Sequence, residues 1–155
     1  MSKYRRPTQI IYALMVVLAI LLITPVMAGG GDPAIAENAW PMIQNGALLV
    51  DVRTEKEYRR DGHAPDSVLH PYSLNKRKRK QNEIFLDTVS EEFDANTTLV
   101  VLCSHGMRAT HAAWELQEKK GFNEVFVFPG GFEGHHMHGY PAGDGWKSAD
   151  LPLED

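Results

Sequence analysis

Thr97-Thr98-Leu99-Val100-Val101-Leu102-Cys103-Ser104-His105-Gly106-Met107-Arg108 changes its period partway along. Leu99 to Leu102 is an unbroken apolar run of the kind that fills a strand buried on both faces. After Arg108 the pattern becomes helical. Ala109, Ala112, Ala113 and Leu116 fall on one face, and Lys119, Lys120 and Gly121 form a helix stop. The spacing therefore predicts a strand over 97–102, a tight loop, and a helix from about Arg108 to Lys120.

The same alternation continues on both sides. Ala47-Leu48-Leu49-Val50-Asp51-Val52 reads as a second buried strand. Thr54 opens a helix, with Glu57 three residues on completing a capping box and Gly62 as the stop. Ser67 to His70 is a short strand. Residues 81–93 are helical, with Phe85, Val89 and Phe93 four apart. Val125-Phe126-Val127-Phe128 is a further strand, closed by Pro129-Gly130-Gly131. Strands alternating with helices predict an α/β fold, an open parallel sheet covered by helices on both faces. Such sheets bind ligands at the carboxyl ends of their strands, which is where Cys103 stands.

The chain has 155 residues, enough for one domain. Its first 28 residues are read apart from that domain. Lys3, Arg5 and Arg6 precede an apolar run over residues 10–27, and Val26-Met27-Ala28 supplies a small-residue exit. Residues 1–28 are expected to be a signal peptide cleaved after Ala28, or else an uncleaved membrane anchor, with Pro25 favouring cleavage. Either way the remaining chain is exported, periplasmic or otherwise extracytoplasmic, and it meets a membrane only through residues 10–27 if these stay attached. Residues 29–38 read as a linker and 39–155 as the domain. Losing residues 1–28 takes away Lys3, Arg5 and Arg6 and no acid, so the formal charge moves from −4 to −7. An acidic domain of this kind excludes nucleic acid as the expected partner.

Cys103 is the only cysteine. It has no partner for an internal disulfide, so it is either an inert core residue or a thiol kept for its reactivity. The loop argues for reactivity. The first backbone N–H groups of the following helix are unpaired and point towards the sulfur. The helix dipole favours an anion there, and Arg108 adds a charge that is not lost at ordinary pH. Each effect favours thiolate, the nucleophilic form. Gly106 lets the backbone turn closely around the anion. Cys103 and Arg108 are the expected catalytic residues, and Ser104, His105, Gly106 and Met107 the expected substrate-binding ones.

At these residues the chain resembles the rhodanese superfamily, from roughly Trp40 to Leu153. Asp51-Val52-Arg53 is similar to its Asp-x-Arg, and Gly62-His63-Ala64-Pro65-Asp66-Ser67 to its Gly-His-Ile-Pro-Gly-Ala segment. Cys103 to Arg108 is similar to its active-site loop, and Gly130-Gly131-Phe132, Trp146 and Leu151-Pro152-Leu153-Glu154 to its C-terminal signature. The resemblance implies a sulfurtransferase that takes the outer sulfur of a donor such as thiosulfate onto Cys103 as a persulfide and passes it to a thiol or to cyanide. Nothing else in the sequence reads as a metal or cofactor site of comparable quality, so no cofactor and no metal are expected. Phosphatases and arsenate reductases share the fold but place five residues between cysteine and arginine. Here there are four, and the smaller cradle suits a sulfane sulfur better than a phosphate. The alternative is a module that holds sulfur, senses redox state or binds a partner without turnover.

Asp51 and Arg53 are expected to be structural, because buried charges need partners. His105 either contacts substrate or donates a proton, or faces solvent as an ordinary loop residue. His63 and His70 read as structural or surface residues. Lys76-Arg77-Lys78-Arg79-Lys80 reads as a solvated loop, with docking to an anionic partner or membrane as the alternative. Glu133 and His135-His136-Met137-His138 lie in an apparent insertion, expected to shape access to the site rather than to hold copper or zinc.

Overall fold

The computed structural model describes residues 34–36, 38–75, 80–136 and 142–154. The expected signal peptide or anchor, most of the basic run and His138 lie outside the described residues. Among the described residues, no helix is long and apolar enough to cross a membrane.

The elements follow in the order β1 (Ala34–Ile35), α1 (Ala39–Gln44), β2 (Leu48–Asp51), α2 (Glu55–Asp61), β3 (Val68–Leu69), β4 (Ser73–Asn75), β5 (Lys80–Gln81), α3 (Phe85–Glu92), β6 (Leu99–Leu102), α4 (Met107–Lys120), β7 (Val125–Val127) and α5 (Gly145–Ser148). Five strands form one parallel sheet in the order β1-β7-β6-β2-β3. β4 and β5 make a separate antiparallel pair.

Successive residues of a strand point to opposite faces, so β6 feeds two cores. Leu99 and Val101 pack with Phe85 and Val89 of α3 and with Ala109, Ala112, Ala113 and Leu116 of α4. Val100 and Leu102 pack on the other face with Ala39 of α1, Phe132 and Trp146 of α5. All four β6 side chains are fully buried. A strand covered on both faces has no polar side to alternate with, which is why its sequence is continuously apolar. The alanines of α4 let the helix lie close against the sheet.

Within the expected linker of residues 29–38, the described residues include a strand. Ala34–Ile35 is an edge strand paired with Phe126 and Val127, and the Ala36 amide donates to the Val127 carbonyl at 3.0 Å. Two residues are too few to show a period, so the pairing is set by β7 rather than by local pattern. The helix expected over 81–93 is shorter, Phe85–Glu92, because Gln81 belongs to β5.

Candidate active site

The fold sets Cys103 at the carboxyl end of β6, between its two central neighbours β2 and β7. Gly106 caps α4 at φ +93°, a conformation that L side chains rarely adopt, and this turns the chain sharply enough to point the helix start back at the sulfur. The Ala109 amide donates to Cys103 Sγ at 3.4 Å. The orphan donor that the helix start was expected to offer the sulfur is therefore present.

Arg108 takes a different direction from the one expected of it. Its fork closes on Glu57, with Nη1 2.8 Å from Oε2 and Nη2 2.9 Å from Oε1, and Nη2 also donates to Ser104 Oγ at 2.8 Å. A largely buried guanidinium needs a carboxylate opposite it, and the planar fork matches both carboxylate oxygens. The charge of Arg108 is thus shared with Glu57 rather than left free for a substrate. Burial works against the Arg108 cation, but Glu57, Cys103 and Asp51 more than offset it and hold the guanidinium above its ordinary value.

Glu57 is the residue on which this side of the loop converges. Besides Arg108 it accepts from the Ser104 hydroxyl at 2.9 Å, from the Thr54 amide at 3.0 Å and from the Thr54 hydroxyl at 2.8 Å. Burial alone raises its pKa. The hydrogen bonds from Arg108 and Thr54, with the charge of Arg108, outweigh burial and hold Glu57 well below the usual carboxylate range. The sequence signals Glu57 only as the N3 residue of a capping box. Its second role joins residues 51 positions apart, and no local pattern carries that.

Ser104, expected at the substrate, is buried with its hydroxyl turned inward to Glu57 and Arg108. The other side of the loop is held by its own backbone. The Phe132 amide donates to the Cys103 carbonyl at 2.7 Å, and the Glu133 amide donates to the Ser104 carbonyl at 2.9 Å. Gly131 makes this approach possible. At φ +67° a Cβ there would lie 2.4 Å from the Cys103 carbonyl oxygen and 2.8 Å from the His105 nitrogen. Beneath this, Arg53 and Asp51 form a buried pair at 2.7 Å, Arg53 Nη2 donates to the Gly62 carbonyl at 2.9 Å, and the guanidinium lies 3.6 Å over the Phe132 ring. Asp51 and Arg53 are tied to each other and to the neighbouring loop.

Above the sulfur is a cavity of about 440 Å³ lined by Tyr72, Ser73, Gln81, Cys103, His105, Met107, Arg108 and His111. Cys103, His105, Met107 and Arg108 were read from the sequence. Tyr72, Ser73, Gln81 and His111 were not. The first three come from β4, β5 and the residue before β4, which carry no motif. His111 lies one helical turn beyond Met107 on the same face of α4. Tyr72 is held well above its ordinary value, first by burial and then by Glu115, so it stands in the wall as a neutral phenol.

His63 stacks on Tyr58 and exchanges backbone bonds with Glu154, and His70 pairs with Glu92 at 2.9 Å, both away from the cavity. His135 bridges to Gly143 through its backbone, and His136 lies 3.7 Å from Asp144. Among the described residues, no three His, Cys, Asp or Glu side chains converge as a metal site.

Comparison with known proteins follows the same lines. Residues 36–138 match the family described as Rhodanese-like domain. The chain is 32% identical over 119 residues to a thiosulfate sulfurtransferase GlpE of Haemophilus influenzae, covering 76% of this chain and 90% of that one. It is 31% identical over 117 residues to the GlpE of Actinobacillus pleuropneumoniae, covering 75% and 86%. The crystal structure of Rv0390 from M. tuberculosis superposes with a TM-score of 0.63 at 26% identity, covering 80% of this chain and 97% of that one.

Proposed function

Because the chain belongs to the rhodanese-like domain family, we propose that it is a sulfurtransferase that carries sulfane sulfur on Cys103. The observation that carries this reading is the position of Sγ: at the end of β6, on the wall of an open cavity, with the Ala109 amide aimed at it from the start of α4. A helix start favours negative charge on the sulfur and keeps doing so when that charge moves out by one atom, as it does in a persulfide.

In the first half of the reaction the Cys103 thiolate attacks the outer sulfur of a thiosulfate-like donor. A Cys103–sulfur bond forms, the donor's sulfur–sulfur bond breaks, and its electron pair leaves with sulfite. In the second half a thiol or cyanide attacks the outer sulfur of the persulfide, and the electron pair of the breaking bond returns to Sγ. The Glu57–Arg108–Ser104 cluster and the Phe132 and Glu133 amides hold the loop so that Sγ and the Ala109 amide stay aligned through both halves.

The test is the intact mass of the chain after incubation with thiosulfate, beside Cys103→Ser. A gain of one sulfur on the natural chain alone, lost on adding cyanide, supports the reading. A gain also on Cys103→Ser removes Cys103 as the carrier. A loaded form that neither cyanide nor thiols discharge favours the sulfur-holding or redox-sensing module over an enzyme.

We also propose that the domain is exported, on the strength of Lys3, Arg5 and Arg6 followed by the apolar run and Val26-Met27-Ala28. The N-terminal residue of the protein recovered from cells tests this. A chain beginning at Gly29 supports cleavage. A chain still carrying Met1 and recovered from the cytosol overturns export.

A further inference from the structure

The polar side chains around the cavity are nearly all committed. Arg108 is spent on Glu57 and Ser104. The Tyr72 hydroxyl accepts from Gln81 Nε2 at 3.2 Å, and the same amide reaches Glu115 at 3.2 Å. Ser73 Oγ is turned to the Asn75 carbonyl. His111 differs: it is exposed, it lines the cavity with Cys103, and it makes no hydrogen bond or ion pair with the described residues.

The two halves of the reaction ask different things of such a residue. Taking sulfur from thiosulfate moves no proton, because a thiolate attacks and sulfite leaves with an electron pair. Giving sulfur to a thiol does move one, because an un-ionised thiol is a poor nucleophile until its proton is taken. Imidazole is the side chain suited to that exchange near neutrality. The cavity is also larger than a small inorganic anion needs. About 440 Å³ is within the range that holds organic ligands, and half-exposed Met107 and the Tyr72 ring give it apolar walls.

We propose that His111 is the proton acceptor for an organic thiol that draws the sulfur off Cys103. This rests on Cys103 as the persulfide carrier. The acceptor's carbon skeleton lies against Met107 and Tyr72. The His111 ring takes the thiol proton while the thiol sulfur bonds to the outer sulfur of the anionic persulfide, and it returns that proton to the outer sulfur. The bond from that sulfur to Sγ breaks, and its electron pair restores the Cys103 thiolate. The product is an organic persulfide, and one sulfur has moved with no net oxidation.

The full chain and His111→Gln are loaded at Cys103 with inorganic polysulfide, freed of excess reagent, and mixed at one neutral pH with two acceptors. One is 2-mercaptoethanol, which holds its proton at that pH. The other is 4-mercaptobenzoate, an aryl thiol already largely ionised. Loss of the sulfur mass gives the rates. The expected result is a fall of about a hundredfold for 2-mercaptoethanol in His111→Gln, with a much smaller fall for the aryl thiolate. No fall, or the same fall for both acceptors, overturns the proposal, since a disturbed wall slows both alike. A chain that takes no sulfur at Cys103 from polysulfide fails at the earlier step and sinks the carrier reading instead.

Discussion

Glu57 and Arg108 face each other fork to fork, at 2.8 and 2.9 Å, across the gap between the first turn of α2 and the first turn of α4. The pair joins the helix that follows β2 to the loop that follows β6, so a single carboxylate caps one helix and anchors the candidate catalytic loop. Both side chains are mostly buried, Arg108 at 17% exposure and Glu57 at 5%, so the contact is largely shielded from water.

Glu57→Gln removes the charge and leaves Arg108 uncompensated. Breaking one partner of such a pair is expected to cost about 3 kcal/mol of stability, read as a lower urea midpoint. A variant as stable as the natural chain refutes the anchoring role.

The same residue sets a pH dependence. Its folded pKa lies below its ordinary value of 4.5, so the folded state binds this proton less readily than the unfolded chain. The stabilisation is complete above about pH 5 and is lost as pH falls below the unfolded value towards the folded one. The stability difference between the natural chain and Glu57→Gln is expected to narrow steadily under acid unfolding below about pH 4.5. A constant difference across that range contradicts it.

Arg108→Lys keeps the charge and loses the fork. A single ammonium does not span both Glu57 oxygens and Ser104 Oγ together, so about 2 kcal/mol of charged hydrogen bonding is expected to go. The loosened loop is expected to take sulfur from thiosulfate about tenfold more slowly or worse, measured by stopped incubation and mass. Loading at the natural rate shows that the fork is not needed to hold Cys103 in place.

Gly131→Ala places a methyl group 2.4 Å from the Cys103 carbonyl oxygen in a backbone conformation with φ +67°. The two effects together are expected to cost about 3 kcal/mol or more, and to displace the loop from the Phe132 amide. Denaturant unfolding reads the first effect, and the rate of Cys103 alkylation by a neutral reagent reads the second. Natural values for both refute the close approach.

How much of this was legible depends on distance along the chain. The β6–loop–α4 unit was readable because every part of it is local: four apolar residues, a cysteine, a glycine that turns the chain, and alanines at helical spacing. The capping box of Thr54 and Glu57 was readable for the same reason. β1 was not, because two residues carry no period and gain their place from β7. Tyr72 and Gln81 were not, because nothing near them in sequence shows that the β4–β5 arm comes to stand over Cys103.

Local pattern alone fixes the alternation of strands and helices, the parallel sheet, and the thiol at the end of its central strand. Hydrophobic period and helix signals act over a few residues and are written where they act. Where the charge of Arg108 goes, that Ser104 turns inward, and that His111 meets the cavity are set by long-range packing in the folded chain. Those outcomes follow from which groups burial brings together. A guanidinium taken out of water closes on the carboxylate within reach, and here that carboxylate is 51 residues away.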